Sequence, residues 1–239
     1  VPVLLLAFPD LEPEVVVSIS LSITFLNAFS GTLAYASLRR IDYKSAIEFS
    51  LATMPGAIIG ALLINHIPQK TFEHIVGFVL VLIAIFLVTR KGLKKPNTNS
   101  IAKLTHRDFS DKNGERYVYS FNIRIGMISS FFVGFLSSLL GIGGGIIHVP
   151  VMTTVLNFPV HVATATSHFI LAVMALIATI IHIFQGNLNG QWMTVLYLGI
   201  GVVSGAQIGA KVSHHAKPQW IIYSLATALT IVGLRIMLG

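Results

Sequence analysis

The sequence predicts an all-α polytopic membrane protein of two inverted repeats. Each repeat is a glycine-broken helical hairpin followed by three transmembrane helices, and the first hairpin is incomplete. Three observations predict this. Hydrophobic residues make up 54% of the 239 residues and charged ones only 10%, against roughly 25% charged in a soluble domain. Several apolar runs reach the roughly 18 residues that cross a bilayer core. The two halves also share punctuation. Val1-Pro2-Val3 before Pro13 resembles Val149-Pro150-Val151 before Pro159, and Gly56-Ala-Ile-Ile-Gly-Ala61 matches Gly205-Ala-Gln-Ile-Gly-Ala210.

In order, Val1 to Phe8 is apolar but too short to span, and Asp10 to Glu14 is an acidic turn. Spans are expected at 14–38, 45–64 and 71–89, and Arg39 to Lys44 is a basic connection. These form the first repeat, residues 1–89. No methionine opens the chain, so the expectation is that the first copy's glycine break precedes Val1. Arg90 to Asn122 is strongly polar and basic and reads as a cytoplasmic linker. The second repeat, 123–239, holds an apolar run over 124–140, the break at Gly141-Ile-Gly-Gly-Gly145, and a short helix over 146–158. Spans at 160–184, 193–212 and 220–238 complete it.

Loop charge orients the chain, because basic loops stay in the cytoplasm. Arg39–Lys44 and the linker are then inside, and Asp10–Glu14 is outside. If 124–158 enters and returns on one side, Gln185–Gly190 falls outside and the basic 211–217 loop inside. Equivalent loops then lie on opposite faces, so the repeats are inverted. The net charge of +7 gathers in these loops and does not argue for nucleic acid. There are no cysteines, which excludes disulfides and thiolate chemistry.

The break is the most informative stretch. Three consecutive glycines make poor helix, and a bilayer tolerates irregular backbone only where protein buries it or it lines a cavity. The helix that follows would present free N–H groups and its positive dipole end at Gly143, Gly144 and Gly145, the geometry of an anion site. The alternative is a tight turn that lets two helices pack closely.

The run Gly141 to Met152 (GIGGGIIHVPVM), then Pro159, Ala165-Thr-Ser167 and the repeated GAxxGA element, resembles the TauE/SafE family of sulfite and organosulfonate exporters. The resemblance implies a multi-pass transporter in the cytoplasmic membrane. It would move a small sulfur oxyanion or sulfonate, such as sulfite or sulfoacetate, by alternating access. The N-terminus departs from the pattern, since the first repeat's glycine motif is absent.

The polar residues within spans supply the remaining site candidates. Ser20, Thr24 and Asn27, with Gly31, share one helical face. They are either contacts between helices or donors lining a cavity, and they occupy the place equivalent to Thr164-Ala-Thr166-Ser167-His168. His148 falls in the first turn of the short helix, where a gating or proton-coupling role is expected, and His168 comes second. Each histidine also has the plain reading of a neutral ring bonded inside the bundle. No acid lies mid-span, which suits an anion path and not a cation site. The ridges Gly56/Gly60 and Gly201/Gly205/Gly209 read as helix packing, with Gln207 the polar exception. No cofactor, metal or catalytic residue is expected, and the bilayer is the one certain partner. Anion transport is preferred over an anion channel or a membrane-embedded enzyme, for which Ser167-His168 is the sole adjacent pair and is poorly oriented for proton transfer. Oligomeric state stays open.

Overall fold

Proline and glycine set the boundaries of the elements. The computed structural model describes residues 1–8, 10–89, 104–213 and 218–238, with side chains for all of these except 87–89, 206–225 and 238. Its helices are α1 (Pro2–Ala7), α2 (Pro13–Ser37), α3 (Tyr43–Leu63), α4 (Gln69–Thr89), α5 (Ile123–Leu140), α6 (Gly145–Thr154), α7 (Val160–Phe184), α8 (Trp192–Ser213) and α9 (Pro218–Leu238). Pro2 and Pro13 open α1 and α2, where a missing N–H costs nothing. Pro159 is the residue before α7. Pro150 lies inside α6, as the short helix expected over 146–158 requires. Among the described residues, five helices are long and apolar enough to cross a membrane: Pro13–Ser37, Tyr43–His66, Gln69–Phe86, Ile123–Leu140 and Val160–Phe184. Shorter apolar stretches lie in α6, α8 and α9. The chain is a multi-pass membrane protein.

Helices at equivalent places in the two halves run in opposite directions. Ser18, near the start of α2, donates to the Asn187 carbonyl beyond the end of α7 (3.4 Å), while Tyr35, near the end of α2, meets His168 in the early part of α7 (ring centroids 5.1 Å). The early part of α4 meets the late part of α9, where a Cβ on Gly233 would lie 2.9 Å from the Gly77 carbonyl oxygen. The contact of α3 with α7 is mirrored by that of α2 with α8. The α5–α6 segment enters and returns at one end: Phe121, just before α5, and Phe158, after α6, pack with ring centroids 4.8 Å apart. That end also carries Arg39, Arg40 and Lys44, and is called the basic end below.

The segment expected as a linker contains a folded element. Residues 105–121 form an antiparallel hairpin, β1 (Thr105–Ser110) and β2 (Arg116–Phe121), with Thr105 opposite Phe121 and Ser110 opposite Arg116. Alternation in β2 buries Tyr117, Tyr119 and Phe121 against the bundle. Residues 90–103 of that segment, the 214–217 part of the basic loop, and the side chain of Gln207 lie outside what is described.

Between helices in lipid there is no hydrophobic drive, so close approach and polar contacts carry the packing. Gly56 and Gly60 place α3 directly on the α5 backbone. A Cβ on Gly60 would lie 2.6 Å from the Phe135 carbonyl oxygen, and one on Gly56 would collide with that of Phe131. In the second ridge, nothing described lies within 4 Å of a Cβ placed on Gly201 or Gly205, and Gly209 lies outside the described side chains. Replacing Gly60 by valine should lower stability by about 3 kcal/mol through overpacking. Gly205→Ala should leave the melting temperature unchanged or slightly higher. Melting of the purified variants in detergent checks both.

Candidate functional site

The glycine break sits halfway along the two long helices that flank it. α5 ends at Gly141, whose left-handed backbone (φ 59°) reverses the chain, and Gly143 (φ 79°) completes the turn. Both conformations are open to glycine at no steric cost. α6 then starts at Gly145, and no side chain caps it. Its first N–H groups have no partner within the helix and point toward the turn. From α2, the Ser20 hydroxyl donates to the Gly141 carbonyl (2.7 Å). Thr24, at the middle of α2, has its γ-methyl 3.4 Å and its hydroxyl oxygen 3.7 Å from where a Gly143 Cβ would be. Leu171, at the middle of α7, closes the other side, 3.7 Å from the Cβ position of Gly145.

One further hydroxyl completes the site. Ser137 on α5 is 1% exposed, and its hydroxyl has no hydrogen-bond partner. That oxygen lies 3.1 Å from a Cβ placed on Gly144. An unsatisfied buried hydroxyl is costly, and this one faces the uncapped start of α6. The turn therefore brings together backbone donors, an unpaired hydroxyl and the α2 hydroxyls, with no acidic or basic side chain among these residues. Such a set is complementary to a small anion. The sequence reading did not include Ser137. The Ser137-Ser138 pair, one turn before the break, is the available signal.

The remaining sequence candidates are placed elsewhere. His148 is buried on α6 and its Nε2 lies 3.0 Å from the Ser130 hydroxyl of α5, with Phe49 of α3 6.3 Å away, centroid to centroid. It joins α6 to the bundle from behind the turn. Asn27 is half-buried one turn beyond Thr24. His168 bonds back to the Thr164 carbonyl through Nδ1 (2.9 Å) and packs on Gly31, where a Cβ would lie 2.6 Å from the ring. It fills the seam between α2 and α7 on the basic side of the break. The Ser167 hydroxyl donates to the Thr164 carbonyl (3.0 Å), and the Thr166 hydroxyl accepts from the Asp42 N–H (3.1 Å), so both are satisfied away from the glycines. Among the described residues, no three His, Asp or Glu side chains are grouped to hold a metal ion.

At the basic end, a groove of about 490 Å³ opens between the α2–α3 turn and β1, lined in part by Arg39, Asp42, Tyr43, Arg107 and Phe109. The hairpin's polar groups there are tightly held. Burial, and then the facing Asp42 carboxylate, push the Tyr119 hydroxyl far above its ordinary range, so it remains a proton donor. Burial works against charge on Asp111. The Glu115 N–H, the Arg40 guanidinium and the Asn113 N–H nevertheless hold its carboxyl below the usual range.

A family model described as sulfite exporter TauE/SafE matches residues 1–236. The chain is 33% identical to the probable membrane transporter protein YunE of Bacillus subtilis over 230 residues, covering 96% of this chain and 83% of that one. A probable membrane transporter protein of a Sinorhizobium species is 28% identical, covering 88% and 77%. One from Methanocaldococcus jannaschii is 25% identical, covering 93% and 78%. No solved structure matches. His148→Ala should lower stability by about 3 kcal/mol, since it leaves a cavity and strands the Ser130 hydroxyl. Ser130→Ala should cost about 1 kcal/mol. Paired thermal melts check the ratio.

Proposed function

This chain belongs to the TauE/SafE family of membrane transporters, and from that premise we propose that it carries a small sulfur-containing anion, sulfite or a sulfonate, across the cytoplasmic membrane. The observation that carries the reading is the uncapped start of α6 at a glycine turn mid-bundle, faced by the unpaired Ser137 hydroxyl. In this reading the anion rests against Gly143, Gly144 and Gly145. It accepts bonds from the N–H groups at the head of α6 and from the hydroxyls of Thr24 and Ser137, while Ser20 holds the turn. The helix dipole stabilises the negative charge where water cannot. Neutral donors suit a cargo that must also leave, because a fixed lysine or arginine would hold it too tightly.

Inverted repeats around a midplane site support alternating access, in which one side of the bundle opens as the other closes. A proton-coupling role falls to His148 and His168 in this reading; in the state described their rings bond to Ser130 and to the Thr164 carbonyl, and neither ring bonds to the glycine turn. The α2–α7 seam, filled by His168 against Gly31, is the closure on the basic side.

Anion-specific stabilisation of the purified protein tests the site. A ligand of the native state raises apparent stability by mass action. The melting temperature should rise with sulfite, sulfoacetate or taurine and stay unmoved by chloride. Ser137→Ala should weaken that effect by about tenfold, the worth of one hydrogen bond to a charged group. Gly144→Val, which fills the turn, should remove it. A folded Gly144→Val protein that still responds would sink the site assignment. No response to any sulfur anion in the parent would remove the substrate class.

A further inference from the structure

Among the described residues, a dense polar network lies at the basic end and joins the two halves through the hairpin. Asp42 is 6% exposed. Its Oδ1 accepts from the Ser45 N–H (3.1 Å), which caps α3, and its Oδ2 accepts from the Tyr119 hydroxyl (2.7 Å) and from Arg107 Nε (3.2 Å). Arg107 also donates to the Ser45 hydroxyl (3.2 Å) and to Glu48 (2.9 Å), with its guanidinium 5.5 Å from the centre of the Phe121 ring. The Asp42 N–H reaches across to Thr166 on α7 (3.1 Å). First repeat, hairpin and second repeat therefore meet in one node. Two further ties hold the hairpin's turn to the end of α2: the Lys112 N–H to the Leu38 carbonyl (3.1 Å) and Arg40 to Asp111 (3.1 Å). On its inner face, Tyr119 and Phe121 pack at a tilt on Phe158, ring centroids 4.5 and 4.8 Å away, where the re-entrant segment ends.

These ties bear on the exit route. Between the glycine turn and the basic end, the α2–α7 seam is filled by His168 on Gly31, with Tyr35 edge-on at 5.1 Å. The node grips both sides of that seam, α2–α3 through Asp42 and α7 through Thr166. Its bonds are hydrogen bonds and ion pairs: its centre, Asp42 and Tyr119, is buried, and its rim reaches water through the Arg107 and Glu48 side chains, 11% and 29% exposed. When this end of the bundle opens, the freed polar groups gain water as a partner, which offsets much of each lost bond. Interlocked apolar packing offers no such exchange. A link between halves that must separate is thus built here from the reversible kind of contact.

We propose that the 105–121 hairpin is a latch on the cytoplasmic side, and that release of the Asp42–Arg107–Tyr119 node lets the α2–α7 seam open to the cytoplasm. This rests on the alternating-access reading above. It assigns the structure to the state closed at its basic end and makes Arg107 and Tyr119 gating residues that never touch the cargo.

The chain has no cysteine, so a single introduced thiol reports opening without any substrate. Val162→Cys places one in the first turn of α7, fully buried in the aromatic cluster that includes Tyr119, Phe121 and Phe158. Ala84→Cys places another, 2% exposed, toward the same end of α4 and away from the hairpin. In inside-out vesicles, a membrane-impermeant maleimide should label Val162→Cys slowly. Adding Arg107→Ala or the milder Tyr119→Phe should speed this tenfold or more and leave Ala84→Cys unchanged. Arg116→Ala, which breaks only the exposed pair with Asp108 on the same hairpin, should change neither. No acceleration at Val162→Cys in both latch variants overturns the proposal. Equal acceleration at Ala84→Cys also overturns it, because the hairpin would then be a brace for the whole bundle. Anion binding is read separately by thermal shift, so failure of the site and failure of the latch remain distinct.

Discussion

The rest of the structure depends on one constraint: a backbone break inside a bilayer must be buried by protein or put to use. Four residues, Gly141 to Gly144, interrupt the helix between α5 and α6. Their N–H and carbonyl groups need partners or a ligand, since lipid offers none. The bundle answers on the carbonyl side with Ser20, which donates to Gly141. On the N–H side it leaves the head of α6 uncapped and adds the unpaired hydroxyl of Ser137. α2 and α7 pass the break at their midpoints in opposite directions, so the unsatisfied donors fall at the centre of the bundle.

The same logic explains where the helices touch. Apolar side chains gain nothing by leaving lipid for one another, so the strong contacts are those in which missing side chains let backbones meet. Gly56 and Gly60 of α3 against α5, and Gly77 of α4 against Gly233 of α9, are such contacts. Large residues such as Leu51, Phe78, Phe132 and Tyr197 stay exposed on the outer surface, as the bilayer requires. The histidines follow the same economy: His148 spends its ring on Ser130 and His168 spends its own on the Thr164 carbonyl and the Gly31 surface.

Outside the bilayer the balance reverses, and there the chain uses strands, aromatic stacking and ion pairs. The hairpin between the halves covers the end of the α2–α3 turn and the return of the re-entrant segment. Its Asp42 node is the one place where side chains from the first repeat, the hairpin and the second repeat bond to a single residue among the described groups.

Much of this was legible in the residues. Low charge and long apolar runs determined the membrane class, because crossing a bilayer depends on local composition. The re-entrant hairpin was legible in Gly141 to Gly145, and the inverted arrangement in loop charge, both being constraints a bilayer imposes on a chain segment by segment. The hairpin at 105–121 is legible too, in Asn113-Gly114 between two alternating runs, within the basic segment that links the halves. What the sequence could not determine is which polar groups face the glycine turn. Ser20 and Thr24 reach it and Thr166 does not, though all three are hydroxyls on long helices at comparable places in their repeats. Gly60 meets a backbone and Gly205 meets nothing described, though both sit in GAxxGA. Composition and spacing set which face of a helix a residue occupies. Only the packing of one helix on another decides what that face meets, and so which donors are already satisfied and which are left for a ligand.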